Sequence, residues 1–498
     1  MAIAPNSTLK VLKGVPFNNT YRDTTKFASE SAQITYFNSK IKYTFPQVTY
    51  IRQDSKIRIQ RKADDLYDCN YIMFQNTNYG NKWFYGFITN VEYVNDVTSE
   101  ISYELDVYQT WQFDVTVKEC FVEREHSLTD NVGDNLVPEN LEQGDYIAEN
   151  SEGTGHMGNL KIVVASTFNK AFETVFGRMY GNIYSGLTFN IFDTASEVNE
   201  FIARAVADNK GDGIVSIFMS PNDFLSDDII IPDIKRYSIA KAKKMDSYDG
   251  YTPRNKKLFT YPYNFLYVTN MSGNCATYKY EHFSTEDCQF TLAGDMSCNP
   301  QMTLFPNYYK GLTNNHDERI NLDGFPQCAY TTDMYSAWLA QNGSTQSISM
   351  LGTAMSTVAN VKMGNIGGAV SGAMDIATTV AQRDAIQNQP PQAHGTVASS
   401  VTVGLGIKDF IFIRKYIRSE FARIIDDYFD KYGYATHRVK VPNINTRPAY
   451  NYVKTINSSV TGDIPVQDLS KICSILDNGV TFWKNPANVG NYSVSNTV

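Results

Sequence analysis

The sequence lacks the marks of several common protein classes, and each absence narrows what the chain can do. It contains no G-x-S-x-G, no Walker A sequence, no G-x-G-x-x-G and no H-E-x-x-H. The turns that present a catalytic serine, cradle a phosphate or hold a zinc ion are thus missing in their recognisable forms. Cysteine is scarce: Cys69, Cys120, Cys275, Cys288, Cys298, Cys328 and Cys473 are seven, an odd number, irregularly spaced. That usage fits reduced thiols in a protein made in a cytoplasm. No two of the four from Cys275 to Cys328 form a C-x2-4-C pair, which argues against a zinc framework. A long apolar run is missing at the start, where Asn6, Ser7, Thr8 and Lys10 interrupt any signal-peptide core. Basic excess is missing too. With 44 Lys and Arg against 52 Asp and Glu, the net charge of −8 does not suit a surface that grips phosphates.

Other groups that carry chemistry are present but uninformative. The histidines His126, His156, His282, His316, His394 and His437 are scattered, as hydrogen-bonded or surface residues are. Glu123 and Glu125 flank Arg124 and share a strand face, yet ordinary solvated carboxylate pairs do the same. Residues 208–213 (DNKGDG) resemble the start of a calcium loop but lack the later Glu. The expectation is a chain without catalysis, metal or cofactor.

What is present is length and aromatic surface. At 498 residues the chain exceeds one hydrophobic core, so two or more domains are expected. Its 33 Tyr and 28 Phe bias it towards strands. Ile41, Tyr43 and Phe45 alternate with Lys42 and Thr44, and Ile101, Tyr103, Leu105 and Val107 alternate with Ser102, Glu104 and Asp106. Period-two alternation predicts half-buried strands. Between them, residues 71–88 are two apolar runs joined by an Asn/Gly-rich turn, a hairpin pattern. From 150 to 342 the pattern weakens, apart from a helix near 195–206 with Val198, Phe201, Ile202 and Val206 on one face.

The C-terminal part is clearer. Residues 407–417, with Phe410, Phe412 and Ile413, read as a strand. A helix follows with Ser419 as N-cap, Phe421, Ile424, Ile425, Tyr428, Phe429 and Tyr432 on its apolar face, and Gly433 as stop. A second helix is predicted from Pro465, using Leu469, Ile472, Cys473 and Leu476, with strand character resuming at 480–483.

Residues 344–374 depart from this pattern, with Lys362 their single charge. Gly364, Gly368 and Gly372 form a small-residue series that lets helices approach closely in lipid. Ile348, Met350, Leu351, Met355, Val358, Val361, Met363, Ile366, Val370 and Met374 supply apolar surface, continued by Ile376 and Val380. A spanning helix needs about 20 residues, and Ser347, Ser349, Thr353, Ser356, Thr357 and Asn360 are polar for one. Three readings follow: a buried Gly/Ala helix pair, a flexible linker, or a conditionally membrane-inserting segment.

Four blocks carry a family resemblance: YIMFQNTNYGNKWFYGFI at 71–88, ELDVYQTWQFD at 104–114 with EREH following, FDKYGYATHRVKVPNINTRPAYNY at 429–452, and TGDIPVQDLSKICSILDNGVTFWKNPANVGNYSV at 461–494. In order and spacing the chain resembles the tail knob, or distal tube, proteins of phi29-like short-tailed phages of Gram-positive bacteria. The resemblance implies a mixed, β-rich α+β fold whose antiparallel tube domains assemble as a homohexameric ring at the distal end of a virion tail. It divides the chain into a tube domain at 1–145, a variable knob region at 146–335, a long loop at 336–400 and a second tube domain at 401–498. It further implies that DNA passes through the lumen without specific binding. Upper tail or connector proteins and a tail-tip lysin would be neighbours. The loop segment 344–381 would plug the tube and then form a channel in host membrane lipid. The alternatives are a purely structural tail adapter and a cell-wall-degrading tail enzyme.

Overall fold

A computed structural model describes residues 7–48, 55–77, 80–154, 160–173, 178–180, 183–185, 187–221, 235–243, 247–270, 273–294, 301–322, 327–328 and 409–498. The chain separates into two compact units. One comprises Met1–Gly144, Asp249–Leu258 and Ser419–Val498, the other Asp145–Tyr248 and Phe259–Arg418.

The first unit is built on a six-stranded antiparallel sheet in the order Ile41–Val48, Ser7–Leu12, Tyr71–Asn76, Trp83–Asn95, Thr98–Leu105, Lys56–Ile59. The predicted hairpin at 71–88 is its centre, with Tyr71 opposite Phe87 and Phe74 opposite Phe84. Alternation buries Ile101 and Tyr103 as predicted. The strand does not run on through Val107, however. Asp106 takes the Gln109 amide on its carboxylate and starts a short helix, Val107–Trp111. An aspartate that caps a helix outweighs one more step of alternation.

A second, five-stranded sheet has the order Asp23–Thr25, Val480–Trp483, Tyr450–Ile456, Cys120–Glu125, Tyr434–Lys440. Its pairs are antiparallel except the first, where Asp23–Thr25 runs parallel to Val480–Trp483. Strands from both ends of the chain thus share a sheet. Their side chains also share a core, in which Leu9, Ile72, Ile101 and Trp111 pack with Val453, Ile472, Leu476 and Phe482. A second cluster is aromatic: Phe17, Phe37, Tyr71, Tyr85 and Phe87 pack together, with Phe37 stacked on Tyr71 at 5.2 Å. Aromatic pairs add about 0.5–1.5 kcal/mol each beyond the area they bury, so the Tyr/Phe-rich composition becomes packing.

Both predicted C-terminal helices are present, as Ser419–Tyr432 and Val466–Asn478. On the first, Ile425 and Phe429 are buried as expected, but Ile424 is exposed and Asp426 is fully buried. The buried stripe is therefore shifted by a residue or two, and a charge sits at its centre. Gly433 has φ +63° after this helix, and a Cβ there would lie 2.2 Å from the Glu125 carbonyl oxygen. Only glycine fits both the left-handed turn and the close approach.

The second unit carries further antiparallel sheets. One runs Tyr146–Gly153, Ile411–Ile417, Asn264–Thr269, Cys275–Tyr278; another runs Thr188–Phe192, Leu160–Ser166, Ile214–Pro221, Gln327–Cys328. A third runs Lys235–Lys243, Asp287–Gly294, Met302–Tyr309, Leu312–Asn314, with Ile320–Leu322 also on Met302–Tyr309. The predicted helix is Ala195–Ala207, opened by a Thr194/Glu197 capping box, with Val198, Phe201 and Ile202 in the core. The fold class is thus mixed α+β with predominantly antiparallel sheets. Cys69, Cys120, Cys275, Cys288 and Cys473 are free thiols.

Candidate functional site

The densest polar chemistry in the first unit surrounds Asp426. Its carboxylate takes the hydroxyl of Tyr251 at 2.5 Å, the backbone amides of Arg254 and Asn255 at 2.8 and 2.9 Å, and the Asn255 side-chain amide at 2.7 Å. Arg254 donates through Nε to Asp430 and through Nη2 to Asp427 at 2.7 and 2.6 Å. Tyr251, Arg254 and Asn255 belong to residues 249–258, a strap whose sequence neighbours on both sides lie in the other unit. Hydrogen bonds to a buried carboxylate are charge-assisted and strong, and leaving it unpaired is costly. The strap is therefore held by one helix turn carrying three aspartates.

A second cluster anchors the strap's end. Lys257 donates to the Val137 carbonyl at 2.8 Å and pairs with Glu139, which also pairs with Arg124 and takes the Ala435 amide at 3.1 Å. Burial pulls the Lys257 ammonium down to about 7, and the Arg124 guanidinium adds to the effect. Next to it, the Tyr434 hydroxyl lies 2.7 Å from Asp130 and 3.0 Å from Asn255. Burial raises the Tyr434 phenol, and the Asp130 charge raises it further. His126 is buried as well. Its Nδ1 accepts the Tyr452 amide at 2.8 Å, so Nε2 carries the proton and donates to the Asp430 carbonyl at 2.9 Å. Burial lowers its pKa to about 3, so this histidine is a neutral strut.

A cleft of about 580 Å³ lies beside this network, lined by Arg254, Asp427, Asp430, Lys431, Tyr450, Tyr492 and residues of the 490–497 tail. Arg254, Asp427 and Asp430 are engaged with one another, Lys431 lies over the Tyr492 ring, and no nucleophile with an adjacent base lines it. Among the described residues no group of His, Cys, Asp and Glu is arranged to hold a metal ion.

The structure separates the other sequence candidates. Glu123 is half-exposed and pairs with Lys454 at 2.8 Å, whereas Glu125 is buried against Lys440 and the Asn443 amide. They are two structural ion pairs, not an acid/base couple. Asp208 ends the helix Ala195–Ala207, and Gly211–Gly213 forms a single tight turn. His316 packs on Phe305 at 4.2 Å and His437 stacks on Phe121 at 6.0 Å. His156, His394 and all of Ile348 to Val380 lie outside the described residues. Sequence reading missed Asp426 because it counted only apolar positions. Its spacing, four after buried Ala422 and three before buried Phe429, was the available signal.

The membrane-channel expectation is corrected. A helix crosses a bilayer with about 20 apolar residues, while the helices Ser419–Tyr432 and Val466–Asn478 have 14 and 13 residues and polar faces. Among the described residues no helix is long and apolar enough to cross a membrane. Pore formation and membrane penetration, expected from the sequence, find no support in these helices.

Comparison with known proteins agrees with that architecture. Residues 232–497 match the family of the C-terminal domain of the Bacillus phage phi29 tail knob protein gp9, and residues 5–116 match the caudoviral major tail protein N-terminus. The chain is 29% identical to the phi29 tail knob protein gp9 and 27% identical to that of Bacillus phage B103, each over all of both chains. In fold it is similar to the solved tail knob protein gp12 of bacteriophage C1, with a TM-score of 0.63 over 97% of both chains at 14% identity. The chain belongs to the phi29 gp9 family of tail knob proteins, as a structural, non-enzymatic component of the virion at the distal end of the tail.

Proposed function

We propose that the protein is a passive segment of the phage's DNA conduit. Copies made in the host cytoplasm assemble as a ring, six by family resemblance, whose lumen passes the genome during ejection. Residues 1–145 and 401–498 supply the conduit, and residues 146–335 supply the knob's variable part. Its neighbours are other tail proteins, among them an upper tail or connector protein and a tail-tip lysin.

The observation that carries this reading is the match of residues 5–116 to a major tail protein N-terminus, since that span contains every strand of the six-stranded sheet. The net charge of −8 supports it. A wall that repels phosphate lets DNA slide, whereas a basic lumen would hold it.

Electron microscopy of the purified chain and of virions tests this. The expected result is a six-fold ring with a central channel at the tail's distal end. A protein that stays monomeric at tens of micromolar, or particles whose distal tail is unchanged without it, would overturn the reading.

A further inference from the structure

We propose that Cys120 and Cys473 are a redox pair, two thiols in the newly made chain that a small disulfide converts to a disulfide bond once the virion leaves the host. Neither the ring nor the conduit is needed for it.

Cys120 opens the strand Cys120–Glu125, and Cys473 lies within the helix Val466–Asn478. The turn at Ser458 and Ser459 stands against both. On one side it continues two strand pairings, with Ile456 opposite Phe121 and Val460 opposite Val117. There the Lys118 amide donates to the Ser459 carbonyl at 2.8 Å. On the other side the Ser458 hydroxyl donates to the Cys473 carbonyl at 3.0 Å. The Ser458 amide donates to Asp477, one helical turn further on, at 3.0 Å.

The side chains meet on one face. The Thr455 hydroxyl donates to Asp477 at 2.7 Å, so Thr455 lies on the side of the sheet that the helix covers. Thr455 stands directly opposite Val122, and Cys120, two residues before Val122, shares its face. Burial raises the Cys120 thiol above its ordinary value. The Ser459 amide opposes this, while Asp477 and Cys473 add to it, so all three lie within reach of the Cys120 sulfur.

The two thiols differ in access. Cys120 is 5% exposed, whereas Cys473 is partly exposed and meets a small oxidant first. The Cys473 thiolate attacks a low-molecular-weight disulfide and releases one small thiolate. Cys120 then attacks the Cys473 sulfur, and its proton leaves with the second small thiol. One disulfide is reduced and one is formed. A reducing cytoplasm keeps the pair open during synthesis, and the medium around a released virion lets it close. The bond then ties the first block of sequence to the last helix, which restricts the unfolded chain.

Peptide mass mapping of the full chain without reductant, after incubation with glutathione disulfide, tests this. Most wild-type molecules should yield the Cys120 peptide joined to the Cys473 peptide, two hydrogens lighter than the separate pair. Cys120→Ser should leave Cys473 carrying glutathione, and Cys473→Ser should leave Cys120 a free thiol. The oxidised wild type should melt above the reduced one, and a thiol reductant should reverse the shift. Cys473→Ser, at a partly exposed helix position, should show no such shift, with circular dichroism to check folding. Glutathione left on Cys473 of the wild type with Cys120 still free would overturn the pairing. So would either cysteine joined to any other, or an equal melting shift in Cys473→Ser.

Discussion

The indole nitrogen of Trp111 donates a hydrogen bond to the Asp468 carboxylate at 2.9 Å, across 357 residues of chain. Both residues are buried. Trp111 closes the short helix that Asp106 starts, and Asp468 lies in the first turn of Val466–Asn478, where the helix dipole favours a negative charge. The bond ties the first block of sequence to the last. It joins two blocks whose apolar side chains also share a core.

Removing Asp468 therefore weakens the whole first unit. Asp468→Ala leaves a buried indole N–H without this acceptor, a loss of about 1–3 kcal/mol. Thermal melts of Asp468→Ala, Trp111→Phe and the double variant check it. Coupled residues give a double-variant cost smaller than the sum; strictly additive costs would mean the two groups do not depend on each other.

The strap prediction is local. Asp426→Ala strands the Tyr251 hydroxyl and the Asn255 amides at once, and breaking a buried charged network costs about 3–5 kcal/mol. Hydrogen exchange at residues 249–258 should accelerate ahead of the Tyr450–Ile456 strand. Equal protection of the strap in both proteins would show that Asp426 does not hold it.

Acid should destabilise the protein through His126. Its pKa falls from the ordinary 6.5 to about 3 in the folded chain because burial disfavours the imidazolium. Above pH 6.5 it is neutral in both states and its contribution is complete. Between the two values the unfolded chain binds a proton that the native state refuses, so stability falls as pH drops, by up to about 1.4 kcal/mol per pH unit from this group. His126→Gln keeps a donor and an acceptor without titrating. Denaturant melts from pH 3 to 7 should show a shallower slope in the variant, and an identical slope would remove His126 as the cause.

Gly433→Ala tests the helix stop. The left-handed φ alone costs a non-glycine residue about 1 kcal/mol or more, and the 2.2 Å approach to the Glu125 carbonyl adds a clash. The expected loss is about 2 kcal/mol or above, read from the denaturation midpoint. An alanine variant as stable as the parent would show that the Glu125 strand yields without strain.

Local structure was legible wherever one face of an element is apolar and the other polar. The hairpin at 71–88, the helices at 195–207, 419–432 and 466–478 and the strand at 480–483 all follow from periodicity, though Ser419 is the first helical residue and not the cap, and Pro465 the cap and not the first helical residue. Reading failed where a polar residue does the work of an apolar one. Asp106 turned an expected strand residue into a helix, and Asp426 was hidden because a buried carboxylate looks like a surface residue in a one-dimensional pattern. The second unit was hardly legible. Its many short strands are specified by partners far away in sequence, as Tyr146–Gly153 is by Ile411–Ile417.

The sequence by itself determined that no familiar catalytic or nucleotide motif is present, that strands dominate, and that four blocks resemble a family of phage tail proteins. Tertiary structure alone decided that both chain ends form one body, that residues 249–258 belong to it, and that a charged network holds them there. The physical reason is range. Periodicity and capping act over a few residues and can be read from them, whereas Trp111 finds Asp468, and Asn255 finds Asp426, only once the sheets have brought distant segments together.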